Sequence, residues 1–131
     1  MVYPLVSKHL PKPRFHYSPV LRIGPWVRFS GMIALDSVTG ALAGGGPGGE
    51  TAKIMANLIS ALPDFGLNLS ELVTARIYTS QFDKFADVNK AWEDALGAMP
   101  TPPCRTSVGV ISLPLGASVE IEFEFYQEDR S

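Results

Sequence analysis

The stretch Val119-Glu-Ile-Glu-Phe-Glu-Phe-Tyr126 constrains this chain more than any other part of it. Val119, Ile121, Phe123 and Phe125 alternate with Glu120, Glu122 and Glu124, the period-two pattern of a strand with one face in a core and the other polar. Four large apolar side chains on one face need a covering layer, and 131 residues suffice for one sizeable core. Alternation recurs at Trp26–Ile33, where Val27, Phe29, Gly31 and Ile33 oppose Trp26, Arg28, Ser30 and Met32, and again where Val73, Ala75 and Ile77 oppose Thr74, Arg76 and Tyr78. A further pair of strands, Arg105–Ser112 and Ala117–Tyr126, is joined at Leu113-Pro-Leu-Gly116. Helical spacing appears twice. From Glu50 onward it runs through Ile54, Met55, Leu58, Ile59 and Leu62, with Pro63 expected to end or kink the helix and Gly66 beyond it. The second set is Phe85, Val88, Trp92 and Leu96, with Asp83 as the expected N-cap and Gly97 as the stop.

Two helices cover one face of a four- to six-stranded sheet, not both, so the pattern predicts an α+β fold with an open sheet face. That face would carry Trp26, Met32 and Tyr78 among its charges, which makes homo-oligomerisation through it the expected solution. Residues 1–14, with Pro4, Pro11 and Pro13, read as an extended arm, and 1–131 as a single domain.

Charge and composition remove several classes of function. A net charge of −2 supplies no positive field for a nucleic-acid backbone. Lys8, Lys12, Arg14, Arg22 and Arg28 precede the first acid, Asp36, while Glu120, Glu122, Glu124, Glu128 and Asp129 crowd the end. No apolar run reaches the roughly 20 residues that span a bilayer, and the one cysteine, Cys104, suits a reducing compartment. A soluble, cytoplasmic protein is the expectation.

Several short motifs have plainer readings. Gly44, Gly46 and Gly49 match G-x-G-x-x-G, but a turn rather than a buried strand precedes them, so a flexible loop is the better reading. His16, Ser30 and Asp36 lack the setting of a hydrolase triad, and two histidines with a distant cysteine do not have metal-ligand spacing. Cys104, entering a strand, reads as a small buried hydrophobe. Arg105 stands apart because a Pro-rich loop, Met99-Pro-Thr-Pro-Pro103, delivers it to a strand of small and apolar residues. A guanidinium so placed suits a planar anion, with ion pairing to Glu120, Glu122 or Glu124 the structural alternative.

In order and spacing, several segments resemble the RidA/YjgF/L-PSP family: Tyr17-Ser18-Pro19, Ser30-Gly31-Met-Ile33-Ala-Leu-Asp36 with Thr39-Gly40, Asn57-Leu58, Asn89, Pro103-Cys-Arg105, and Leu113-Pro-Leu-Gly-Ala-Ser-Val-Glu120-Ile-Glu122. The resemblance runs from about Pro11 to Phe125. It implies a chorismate-mutase-like α+β fold, with a mixed sheet of about six strands, two helices on one face, and assembly as a homotrimer with clefts between subunits. It also implies cofactor-free hydrolysis of 2-aminoacrylate-type enamines and imines to 2-keto acids and ammonia. Arg105 would grip the substrate carboxylate and Glu120 would position the attacking water, with Tyr17, Ser30, Gly31, Asn89 and Cys104 lining the cleft. No metal is implied. Endoribonuclease activity and a non-catalytic, regulatory small-carboxylate binder are the alternatives, the former opposed by the acidic balance. The chain departs from the common family pattern at Met32, at Phe15-His16 and at Pro63, and the first two bear on substrate range because they border the implied cleft.

Overall fold

The structure, a computed structural model, describes residues 1–128; Asp129 of the acidic end lies outside the described residues. Its elements are β1 (Val2–Pro4), β2 (Val20–Ile23), β3 (Trp26–Met32), α1 (Gly46–Phe65), β4 (Leu72–Thr79), α2 (Phe85–Leu96), β5 (Cys104–Gly109) and β6 (Val119–Tyr126). The six strands form one mixed sheet in the order β1-β2-β3-β6-β4-β5. β6, the strand with the strongest alternation, takes a central place, antiparallel to β3 on one side and to β4 on the other. Val119, Ile121, Phe123 and Phe125 are all fully buried beneath the helices, against Ile54, Met55 and Leu58 of α1 and Val88 of α2. Both helices lie on this one face.

The predicted pairing of Arg105–Ser112 with the last strand is wrong. β4 lies between them, and β5 runs parallel to β4 at the sheet edge, with Ala75 opposite Arg105. The reason is competition for β6: the eight-residue β4 carries apolar Leu72, Ala75 and Ile77 to extend the core, whereas the six-residue β5 is short and mostly exposed and suits an edge. α2 then forms the crossover that two parallel neighbours require. Val73, expected on the core face, is partly exposed because the register shifts between Leu72 and Thr74.

Three helix boundaries also differ from the sequence reading. α1 starts at Gly46, not Glu50, with Gly45 left-handed at the N-cap (φ 99°) and Pro47 in the first turn, where its missing N–H costs nothing. The glycine-rich segment is therefore a helix start rather than a flexible loop: a Cβ on Gly49 would stand 2.6 Å from the Gly44 carbonyl oxygen. Pro63 neither ends nor kinks α1. It sits in the last turn on the solvent side, where it forfeits one hydrogen bond, and left-handed Gly66 closes the helix by donating to the Leu62 and Pro63 carbonyls. Asp83 is not an N-cap, because a 3₁₀ turn, Phe82–Lys84, leads into α2.

Candidate functional site

Alternate residues of the inner strands build the open sheet face in rows. Arg28, Glu124, Thr74 and Cys104 share one row, Glu122, Arg76 and Thr106 the next, and Glu120, Tyr78 and Val108 the third. Glu124 lies between Arg28 (3.8 Å) and Arg76 (3.7 Å), while Glu122 accepts a hydrogen bond from the Tyr78 hydroxyl. Trp26 packs edge-on against Tyr126 at 4.9 Å, and both remain over a third exposed. Arg105 takes no part in this network, so the ion pair proposed as its structural alternative does not form.

A β-bulge shapes the end of this face. Phe29 pairs with Phe123 but Met32 with Ile121, so β3 carries one extra residue. The bulge reverses the alternation predicted there: Met32 turns onto the core and Gly31 onto the open face. Met32 thus does not join the open face. Gly31 gives the Glu120 carboxylate its place, since a Cβ there would lie 2.8 Å from Cδ of Glu120 and push it aside. Gly31, Tyr78, Leu113, Glu120 and Glu122 line a depression of about 250 Å³. Glu120 is half-buried there. Its carboxyl is held above the ordinary carboxylate value first by that burial and then by the charge of Glu122.

Two clamps hold the depression in shape. Ser30 Oγ donates to the Ser18 carbonyl (2.7 Å) and its amide to the Pro19 carbonyl (2.8 Å), binding the segment that leads into β2 to the bulge, with Tyr17 exposed. On the other side, buried Glu50 of α1 accepts from Ser118 N (2.8 Å), Ser118 Oγ (2.7 Å) and Val119 N (3.2 Å). The Ser118 carbonyl accepts in turn from Thr79 Oγ1 (2.7 Å) and Ser80 N (3.1 Å). These bonds fix the backbone immediately before Glu120.

Arg105 lies elsewhere. Its row partners, Ala75 and Phe123, face the helices, and its guanidinium stands 5.4 Å from the ring centres of both Phe85 and Trp92 on α2. Asn89 falls between those aromatics on the same side of α2, four residues after one and three before the other. Cys104 points to the opposite face from Arg105 and is exposed, not buried as its position suggested. One chain thus brings together Arg105 and Asn89 on the helix side, and Ser30, Gly31 and Glu120 on the open side. Sequence reading did not identify the lining role of Tyr78, Glu122 and Leu113, nor the aromatic bed of Arg105. The alternation that put Tyr78 on the polar face was the available signal for the first.

The family model described as endoribonuclease L-PSP matches residues 7–125. A RutC family protein of Aquifex aeolicus is 33% identical over 112 residues, covering 86% of this chain and 89% of the relative. A 2-iminobutanoate/2-iminopropanoate deaminase of Dermatophagoides farinae is 29% identical over 113 residues, covering 86% of each chain. Among solved structures, YyfA of Yersinia pestis, from the conserved Rid protein family, superposes with a TM-score of 0.90 at 25% identity, over 96% of this chain and 99% of that one.

Proposed function

The chain belongs to the endoribonuclease L-PSP family, and from that membership we propose that it hydrolyses reactive enamines and imines of the 2-aminoacrylate type to 2-keto acids and ammonia. The observation that carries this reading is Arg105. Its guanidinium is exposed, rests on Phe85 and Trp92, and has no carboxylate partner among the described residues. Such a fork is prepared for the two oxygens of a substrate carboxylate. The deaminase of Dermatophagoides farinae is the relative whose activity this reading borrows.

The chemistry asks little of the protein. Water attacks the electrophilic carbon of the protonated imine while the Glu120 carboxylate takes one of its protons. Glu120 then returns that proton to the nitrogen of the carbinolamine. The C–N electron pair leaves with nitrogen, and the hydroxyl proton passes to the departing ammonia, giving keto acid and ammonium. Positioning and one proton relay supply the acceleration, with no cofactor. Tyr17, Ser30, Gly31, Asn89 and Cys104 complete the proposed cleft.

Because Arg105 and Glu120 occupy opposite faces of one sheet, we place the complete cleft between chains, in a homotrimer that also covers the open face. RNA cleavage is the weaker reading: the depression offers glutamates to a phosphate backbone, which repels them. The test is to supply purified protein with an imino acid made in situ by an amino acid oxidase and follow keto acid and ammonia. Acceleration over the uncatalysed rate, abolished in Arg105→Ala, is expected, and activity should survive exhaustive chelation. An Arg105→Ala protein as active as the wild type sinks the assignment.

A further inference from the structure

Glu120 has a neighbour of the same charge on the same face of β6. Residues two apart on a strand stand about 6.5–7 Å apart, close enough that their protons are coupled. The surroundings of the two carboxyls differ. Glu122 has the Tyr78 hydroxyl donating to it and Arg76 directly across the strand pair. Glu120 faces Tyr78 in register but receives no hydrogen bond from any described residue, and it lies against the bare Cα of Gly31. One phenol has one proton to donate, and Glu122 receives it.

We propose that Tyr78 is a positioning residue that divides the labour between the two carboxylates: by donating to Glu122 it ties that group down and leaves Glu120 to exchange a proton with bound water. This rests on the deaminase reading and deepens it. The charged and titratable groups around the pair are Tyr78 and Arg76 on β4, Glu124 on β6, Arg28 on β3 and Cys104 on β5, while Gly31 and Leu113 add none. Glu124 is already engaged by Arg28 and Arg76. Tyr78 itself stays protonated, because its bond to Glu122, its burial and the Glu122 charge all raise its ionisation above the ordinary phenol value. Burial and the same charge favour the proton on Glu120. The active form for water activation is ionised Glu120, so rate rises with pH as Glu120 loses its proton.

Carboxyl ¹³C titration by NMR, with Glu120→Gln used for assignment, tests this on wild type, Tyr78→Phe and Glu122→Gln, alongside kcat and KM against pH. In the wild type, Glu120 should titrate above the ordinary carboxylate value. Tyr78→Phe should shift the Glu120 midpoint, because Glu122 loses the donor that holds it in place, and lower kcat by about tenfold with KM nearly unchanged. Glu122→Gln should move the Glu120 midpoint, and the acid limb of the rate profile, to lower pH. A Glu120 midpoint the same in all three proteins overturns the proposal. If the wild type turns over no imine, the deaminase reading fails, and the carboxyl titrations still decide the role of Tyr78.

Discussion

Gly31 shows how narrowly single positions define this site. Its α-carbon is the seat of the Glu120 carboxylate, and an added methyl meets a side chain that can swing away rather than rigid backbone. Gly31→Ala should therefore leave stability within about 1 kcal/mol of the wild type while lowering kcat at least tenfold, read from thermal melts and turnover on the same preparation. Unchanged turnover would show that the seat does not matter. Glu120 itself should leave a mark on stability. Its carboxyl is raised above the ordinary value of 4.5, so the native state holds the proton more tightly than the unfolded chain, and stability falls as pH rises through the native value. The stability of Glu120→Gln relative to wild type should consequently increase with pH and level off below 4.5, whatever constant offset the amide introduces. A difference that stays flat across that range would contradict the raised value. For Arg105→Ala the expected cost is at most about 1–2 kcal/mol, since the guanidinium is exposed and its two ring contacts contribute roughly 0.5–1 kcal/mol each.

Among the elements, the link from α1 to β6 is the most consequential. Glu50 accepts three hydrogen bonds from Ser118 and Val119, and Glu50→Ala would leave those donors buried and unpaired, a cost of about 2–3 kcal/mol. Glu50→Gln keeps one oxygen for both amides and turns its NH₂ toward the Ser118 hydroxyl, so it should melt close to the wild type. Equal melting of the Ala and Gln variants would show the clamp to be idle. The strands and helices were legible because their apolar periods are long: α2 follows from Val88, Trp92 and Leu96, and β6 from four buried positions in a row. What escaped was pairing. Local alternation states which side of a strand is wet but not which strand lies beside it, and two strands joined by Leu113-Pro-Leu-Gly116 look like a hairpin until β4 is seen to satisfy β6 better. The bulge escaped for a related reason. A single extra residue leaves no trace in composition, yet it exchanged the faces of Gly31 and Met32. Arg105 and Glu120 were recognisable from the family resemblance, whereas their placement on opposite faces depended on the pairing.

For the molecule as a whole, the open sheet face is the dominant feature. Trp26, Tyr126 and Val108 remain exposed there beside Arg28, Arg76 and three glutamates, and the proposed assembly would cover them. Mixing inactive Arg105→Ala and Glu120→Ala proteins after reversible dissociation should restore activity, because some mixed clefts regain both residues. Absence of recovery, with mixed assemblies verified by native mass spectrometry, would assign both residues to one chain's site. The position of β6 has a further consequence, for the order in which the fold can form. β3 and β4 are both finished well before β6 is made, yet neither has its inner neighbour until β6 threads between them. During synthesis the growing chain therefore holds two unsatisfied strand edges and an uncovered apolar helix pair. They close in one late event that joins residues about a hundred positions apart, such as Trp26 and Tyr126. A ribosome stalled before Val119 would expose a sheet missing its centre rather than one missing an edge, a species prone to self-association and dependent on chaperones.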